Sequence, residues 1–216
     1  AEGAETDVLV EANADITSTS GHITVTAAQT IDFGANVDVT TGSAGTIDLL
    51  ASTGDIVMDA TATLNTVDGD IRLAGGDDIL DQIVIGDIFA TNADVSIEAS
   101  GSVLDTADAD NEVEALSLRI VAGKGVGLLA GNSLDSVVNS LETAVDTLSV
   151  SVLGSDGVNV LEDDALTIGN TAAVTVETVG NDAVTMTSTE NSQSDVVTTN
   201  TNGIDGSIVI RTESGN

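Results

Sequence analysis

Neither cysteine nor proline occurs in the chain, and its only aromatic residues are two phenylalanines. The absence of cysteine excludes disulfide bonds and thiol chemistry. The absence of tryptophan and tyrosine removes the rings on which sugars and nucleic-acid bases commonly stack in binding sites. No apolar run is long enough to form a transmembrane helix, so we expect no membrane span.

Basic residues are also scarce: four lysines and arginines stand against 36 aspartates and glutamates, which gives a net charge of −32. Such a surface repels nucleic acid and anionic membranes, so we expect no nucleic-acid partner. The four cations are Arg72, Arg119, Lys124 and Arg211, and they are too scattered along the sequence to build a basic cleft for an acidic polysaccharide. Divalent cations or salt would relieve the repulsion among the acidic groups.

What the sequence has in quantity is a repeated aliphatic phrase. It reads HITVTA from residue 22, TIDLLA from 46, DIRLA from 70 and DVSIEA from 94, and its first apolar residue recurs every 24 positions. A unit of that length is too small to bury its own apolar face and must stack on its neighbours. The repeat therefore predicts a solenoid.

Within the phrase, apolar and polar residues alternate as in a β-strand. The repeated apolar positions are Ile23, Ile47, Ile71 and Val95, and the residue after each is predicted to point outward. Two more apolar runs follow in each unit, the first at Ile31, Ile56, Ile79 and Val103 and the second at Val39, Leu64, Ile88 and Val113. About three short strands per unit, separated by turn residues, predict an all-β fold in which each unit is one coil of a parallel β-helix.

Glycine lies two residues before the first apolar position of the phrase, at Gly21, Gly45 and Gly69, where the chain must turn a corner. We expect a positive φ at these corners, because glycine adopts it without steric cost.

The whole chain, residues 1–216, is interpreted as a single domain of about eight coils. Residues 8–16 look like the end of a preceding coil, and units after Val95 are expected to start at Leu118, Leu148, Val174 and Ile208. Their wider spacing predicts irregular insertions near 131–146 and 191–203. For the first insertion a short helix is the alternative to the favoured strand and turn, and the second is interpreted as a polar loop or irregular strand.

Most of the chain, residues 15–212, resembles a known group of proteins. Residues 140–150 (SLETAVDTLSV), 157–169 (GVNVLEDDALTIG) and 173–178 (AVTVET) are similar to the repeats of very large bacterial surface proteins of the filamentous haemagglutinin-like class, as are 54–58 (GDIVM) and 69–73 (GDIRL). The resemblance implies a secreted, right-handed parallel β-helix that acts as a long structural or adhesive fibre. It also implies an extracellular location on the bacterial cell surface.

One acidic loop is a candidate metal site. Asp105, Asp108, Asp110 and Glu112 supply oxygen ligands at a density that suits Ca²⁺, although their spacing is not that of an EF-hand. The alternative interpretation is a solvated turn. The single histidine, His22, has no second histidine or cysteine nearby and is interpreted as a surface or corner residue.

Together these features predict a non-catalytic structural or adhesive fibre segment. Three alternative functions are weighed against this prediction. The coil ends are expected to stack on further chain or on a second copy, and the host or a neighbouring cell surface is a candidate partner. A Ca²⁺-dependent surface-layer or filament subunit is the first alternative. A polysaccharide-active β-helix enzyme is the second, but paired carboxylates carry little information in so acidic a chain. An ice-binding helix is the third, and the outward residues form no continuous threonine ladder to support it.

Overall fold

The computed structural model describes residues 6–106, 110–129, 140–199 and 206–213. Within these ranges the regular structure is β-strand throughout, and no helix there could span a membrane. The 21 strands are β1 Val8–Val10, β2 Ile16–Ser18, β3 Ile23–Ala27, β4 Ile31–Phe33, β5 Asp38–Thr41, β6 Ile47–Ala51, β7 Ile56–Met58, β8 Thr63–Thr66, β9 Ile71–Gly75, β10 Ile83–Ile85, β11 Asp87–Ala99, β12 Ser102–Asp105, β13 Val113–Ala122, β14 Gly125–Val126, β15 Leu141–Val152, β16 Gly157–Glu162, β17 Thr167–Ile168, β18 Val174–Val179, β19 Thr185–Glu190, β20 Val196–Thr198 and β21 Ile208–Thr212.

Nineteen of these strands form one parallel sheet whose pairs fall into three ladders. The first ladder joins Val8, Ile31, Ile56, Ile83, Val103, Val126, Val158 and Ile208 in register. The second joins Ile16, Val39, Leu64, Ile88, Val113, Thr143 and Glu162. The third joins Ile23, Ile47, Ile71, Val95, Leu118, Leu148 and Ile168. The long strands β11, β13 and β15 each contribute to the second and the third ladder.

The predicted solenoid register is confirmed over its first four units. Ile23, Ile47, Ile71 and Val95 stack directly on one another, and all four are buried. Aliphatic side chains from the three ladders meet in one continuous core, with Phe33 and Met58 also buried in it. At roughly 4.8 Å between paired strands, each coil is too thin to have a core of its own, so burial depends on the coils above and below.

Three of the predicted strand starts are wrong. The first ladder contains Ile83 rather than Ile79, which is 50% exposed, because residues between Gly76 and Asp81 form a polar turn outside the stack. Val174 starts no coil and belongs to an antiparallel pair instead. Ile208 pairs with Val158 in the first ladder and not in the third.

The corner glycines are required for a different reason from the one predicted. Gly21, Gly45 and Gly69 do not have positive φ angles, which occur at Gly76, Gly127 and Gly157. Instead, successive corners approach so closely that a Cβ at Gly69 would collide with the carbonyl oxygen of Gly45. Backbone contact between coils, rather than an unusual φ, therefore selects glycine at Gly45 and Gly69, whereas a Cβ at Gly21 would meet only the Ser18 hydroxyl oxygen.

Strands β18 and β19 form an antiparallel hairpin, which interrupts the third ladder. The chain leaves that ladder after β17 and returns to it at β20, so β17 and β20 both pair with β15. In the predicted insertion at 131–146, residues 141–146 form strand, whereas residues 131–139 lie outside the described ranges. In that at 191–203, residues 196–198 form β20, and residues 200–203 also lie outside them.

Candidate functional site

Three carboxylates converge at the corner between the first and second ladders. We call Asp105, Glu112 and Glu142 the carboxylate corner, because one oxygen from each lies within 4.8 Å of the others. Asp105 ends β12, while Glu112 directly precedes β13 and Glu142 lies one coil above it in β15. The parallel register brings the two glutamates together: the Glu112 amide donates to the Glu142 carbonyl oxygen at 3.1 Å.

Hydrogen bonds hold one oxygen of each glutamate. Glu112 Oε2 accepts the Glu142 amide at 2.8 Å, and Glu142 Oε1 accepts the Ser140 hydroxyl at 2.6 Å. Arg211 Nη2 in turn donates to Ser140 Oγ at 3.2 Å, so the Ser140 hydroxyl links the Arg211 guanidinium to the Glu142 carboxylate. Both glutamates are buried, with exposed fractions of 1% for Glu112 and 4% for Glu142.

Burial and mutual repulsion disfavour ionisation at the carboxylate corner. Loss of hydration raises the pKa of Glu112, and the negative charges of Asp105 and Glu142 raise it further. Burial also raises the pKa of Glu142, against which the Ser140 hydroxyl acts. Three carboxylates in a largely desolvated corner therefore require a proton or a cation to offset their charge.

Glu162 is a fourth buried acid, close to this corner but inside the core. It occupies the inward row of the second ladder, in line with Val113 and Thr143. Its two oxygens accept the Thr143 hydroxyl at 2.7 Å and the Val145 amide at 2.9 Å. Burial raises the pKa of Glu162 to about 7 despite these two hydrogen bonds.

The acidic loop that the sequence singled out is only partly assembled into this corner. Asp105 and Glu112 are members, whereas Asp108 lies outside the described residues. Asp110 is exposed and lines a surface cleft with Glu114 and Asp163 instead. Glu142 was not predicted, although the 30-residue interval that relates Leu118 to Leu148 also relates Glu112 to Glu142.

A second polar cluster lies beneath the hairpin. The outward row of the third ladder includes Thr24, Asp48 and Arg72, and β18 runs along it. Successive outer amides of β18 donate to this wall: Val179 to Thr24 Oγ1 at 2.8 Å, Glu177 to Thr46 Oγ1 at 2.9 Å and Thr175 to Asp70 Oδ2 at 2.7 Å. The hairpin thus spans three coils.

Arg72 connects the coils to β19, and its partner Asp48 connects them to β18. Its Nε donates to Asp48 Oδ1 at 2.9 Å, and its Nη1 donates to Ser188 Oγ at 2.7 Å and to Glu190 Oε1 at 3.1 Å. Asp48 is fully buried and also accepts the Thr178 hydroxyl at 2.6 Å. The residues predicted to face solvent here are therefore covered by the hairpin, and the sequence pattern gave no sign of that cover.

His22 lies at the margin of the same wall. Its Nδ1 is 3.0 Å from Thr46 Oγ1, a geometry that fits the corner position predicted for it.

Scans against protein-family models, curated proteins and solved structures found no match to this chain.

Proposed function

We propose that this chain is a segment of an extracellular structural or adhesive fibre on a bacterial surface, and that its coils stack axially on more chain of the same kind. The observation that carries the proposal is the pairing at the ends of the ladders. Strands β1, β2 and β3 each pair with the next coil only, so among the described residues their opposite edges have no strand partner. Such edges accept another strand readily.

The sides of the stack favour growth along the axis. With 36 acidic residues against four basic ones, side walls of neighbouring stacks repel each other, whereas the strand edges at the ends offer backbone hydrogen bonds. We take the coil to be right-handed, because connections between parallel strands of one sheet are right-handed in about 98% of cases. The resemblance to filamentous haemagglutinin-like repeats supports the same role.

A non-catalytic role is part of the proposal. Asp70 has a raised pKa and is partly buried, and its two oxygens accept the Asp94 and Thr175 amides. The other acids with raised pKa values are Glu112, Glu142 and Glu162, and all three are buried. A glycan could not reach them without opening a corner of the stack, and a general acid must contact the atom that it protonates.

Axial stacking is tested by placing proline in β1 and β3, at the strand edges that face away from the next coil. Because the amides of Val8 and Ile23 donate to the coil above, the alternating backbone directs those of Leu9 and Thr26 toward the open edge. Leu9→Pro/Thr26→Pro removes both donors, while the control Leu9→Ala/Thr26→Ala keeps them. We expect concentration-dependent filaments from the wild type and the control, seen by electron microscopy and sedimentation, and few from the proline variant.

The contrary result is equally clear. If the wild type remains monomeric at high concentration with and without Ca²⁺, stacking between molecules is wrong and only covalent continuation is left. Sheets that form only with Ca²⁺ would instead support a surface-layer subunit. Immunogold labelling of intact source cells tests the surface location: absence of label on cells that contain the protein would contradict it.

A further inference from the structure

We propose that the carboxylate corner is a binding site for one calcium ion, held by Asp105, Glu112 and Glu142. This ligand set differs from the predicted acidic loop, because Glu142 enters it and Asp110 does not. The inference is independent of the fibre role, since a cation here would bridge coils within one molecule.

The first argument is the state of the buried oxygens. Within the described parts of the chain, Glu112 Oε1 and Glu142 Oε2 are buried and have no hydrogen-bond donor. The two carboxyl groups interact directly with each other, so a proton shared between them is the competing explanation. Buried polar atoms without a partner are rare in folded proteins and indicate a missing ligand, ion or proton.

The second argument is preorganisation. On each glutamate the other oxygen is already fixed, Glu112 Oε2 by the Glu142 amide and Glu142 Oε1 by the Ser140 hydroxyl. Metal-binding carboxylates are oriented in this way, with one oxygen on the protein and one directed at the ion. The parallel register holds both carboxylates on adjacent coils, so no loop must close to form the site.

The third argument concerns charge and size. Three ionised carboxylates would bring three negative charges to the corner, and the neighbouring positive charge is the Arg211 guanidinium, which donates to Ser140 Oγ at 3.2 Å. A divalent ion would offset two of the three carboxylate charges, whereas one shared proton would offset only one. Oxygens within 4.8 Å of each other fit on a calcium shell, whose radius is about 2.4 Å. Calcium takes six to eight oxygen ligands, so backbone carbonyls or water would complete the shell.

The test separates a specific site from general screening of an acidic protein. Ca²⁺ binding is measured by isothermal titration calorimetry, and thermal melts are recorded in Ca²⁺ and in EDTA. The test variant is Glu112→Gln/Glu142→Gln. The control, Glu11→Gln/Asp15→Asn, removes the same charge from two exposed positions and leaves the corner intact.

We expect the wild type and the control to bind one equivalent of Ca²⁺ saturably and to melt at a higher temperature with it. The test variant should bind at least about tenfold more weakly and lose most of the shift. Equal Ca²⁺ responses in all three proteins would overturn the proposal and leave screening alone. A wild type that does not bind but is stabilised by acid would overturn it in favour of a shared proton. If the double variant fails to fold, Asp105→Asn replaces it with the same expectations, since Asp105 is only half-buried.

Discussion

The coils of residues 23–122 and the hairpin of residues 174–190 are both β-structure, but different forces hold them. In the coils, each strand contributes aliphatic side chains to a shared core, and each strand after β3 pairs with strands above and below. The hairpin contributes only Val174 and Val176 as fully buried aliphatic residues, and otherwise uses hydrogen bonds and the ion pair between Glu190 and Arg72. Burial therefore fixes the register of the coils, while directional polar contacts fix the position of the hairpin.

The sharpest test of this difference places one charge in each region. Ile47→Asp buries an unpaired carboxylate among Ile23, Ile71 and their neighbours, which should cost more than about 5 kcal/mol and unfold the adjoining coils. Val176→Asp, at an equally buried position, should instead release the hairpin and leave the coils folded. Hydrogen exchange read by mass spectrometry over residues 47–75 and 174–190 distinguishes the two results.

Leu153→Asp is the control for this pair, because Leu153 is 57% exposed and the same substitution should change stability by less than about 0.5 kcal/mol. Unfolding of the coils by Val176→Asp would show that the hairpin is an essential part of the core. An unchanged melting curve for Ile47→Asp would show that the ladder register is wrong.

A smaller effect is expected from the ion pair that joins the two regions. Arg72→Met keeps most of the side-chain volume but leaves the fully buried Asp48 without its positive partner. Breaking a buried ion pair in this way costs about 3 to 5 kcal/mol. Urea denaturation should show this loss, and exchange should rise at the amides of Thr175, Glu177 and Val179.

The double variant Asp48→Asn/Arg72→Met supplies the control, because it removes the buried charge together with its partner. It should recover part of the lost stability, since the penalty in the single variant comes mostly from the uncompensated carboxylate. Equal destabilisation by the single and double variants would mean that Arg72 acts through packing alone. Unchanged hairpin exchange in Arg72→Met would contradict its role in seating the hairpin.

The coils and the hairpin also differ in how far their structure could be predicted from the sequence. The 24-residue spacing of Ile23, Ile47 and Ile71 is sufficient to predict a ladder, because a one-residue slip would expose the whole apolar row. The hairpin could not be predicted in the same way. Its amides are satisfied by Thr46 and Asp70, which are more than 100 residues away and carry no periodic signal.

The candidate site shows the same limit at the scale of one residue. Glu112 belonged to a visible acidic loop, but Glu142 lies in a strand among Thr, Ala and Val and does not stand out. Glu142 lies above Glu112 only because β13 and β15 pair in register at an interval of 30 residues. Local composition thus indicated two of the three members of the carboxylate corner, and coil register supplied the third.

The smallest expected effect concerns Glu162 and depends on pH. Its pKa is about 7 in the folded chain, above the ordinary value of 4.5, so the folded state holds this proton more tightly than the unfolded state does. The associated stability is fully present below pH 4.5, falls as the pH rises, and is lost above about 7. A shift of this size corresponds to about 3 kcal/mol.

Glu162→Gln keeps the side-chain shape and an oxygen for the Val145 amide, but it removes the titration. The free energy of unfolding of the variant, measured in urea from pH 4 to pH 8.5, should therefore fall less with rising pH than that of the wild type. The other acids are present in both proteins, so the difference between the two curves isolates this group, and it should favour the variant above pH 7. Parallel curves across the range would mean that Glu162 is ionised in the folded chain at acid pH, and that its hydrogen bonds with Thr143 and Val145 compensate for its burial.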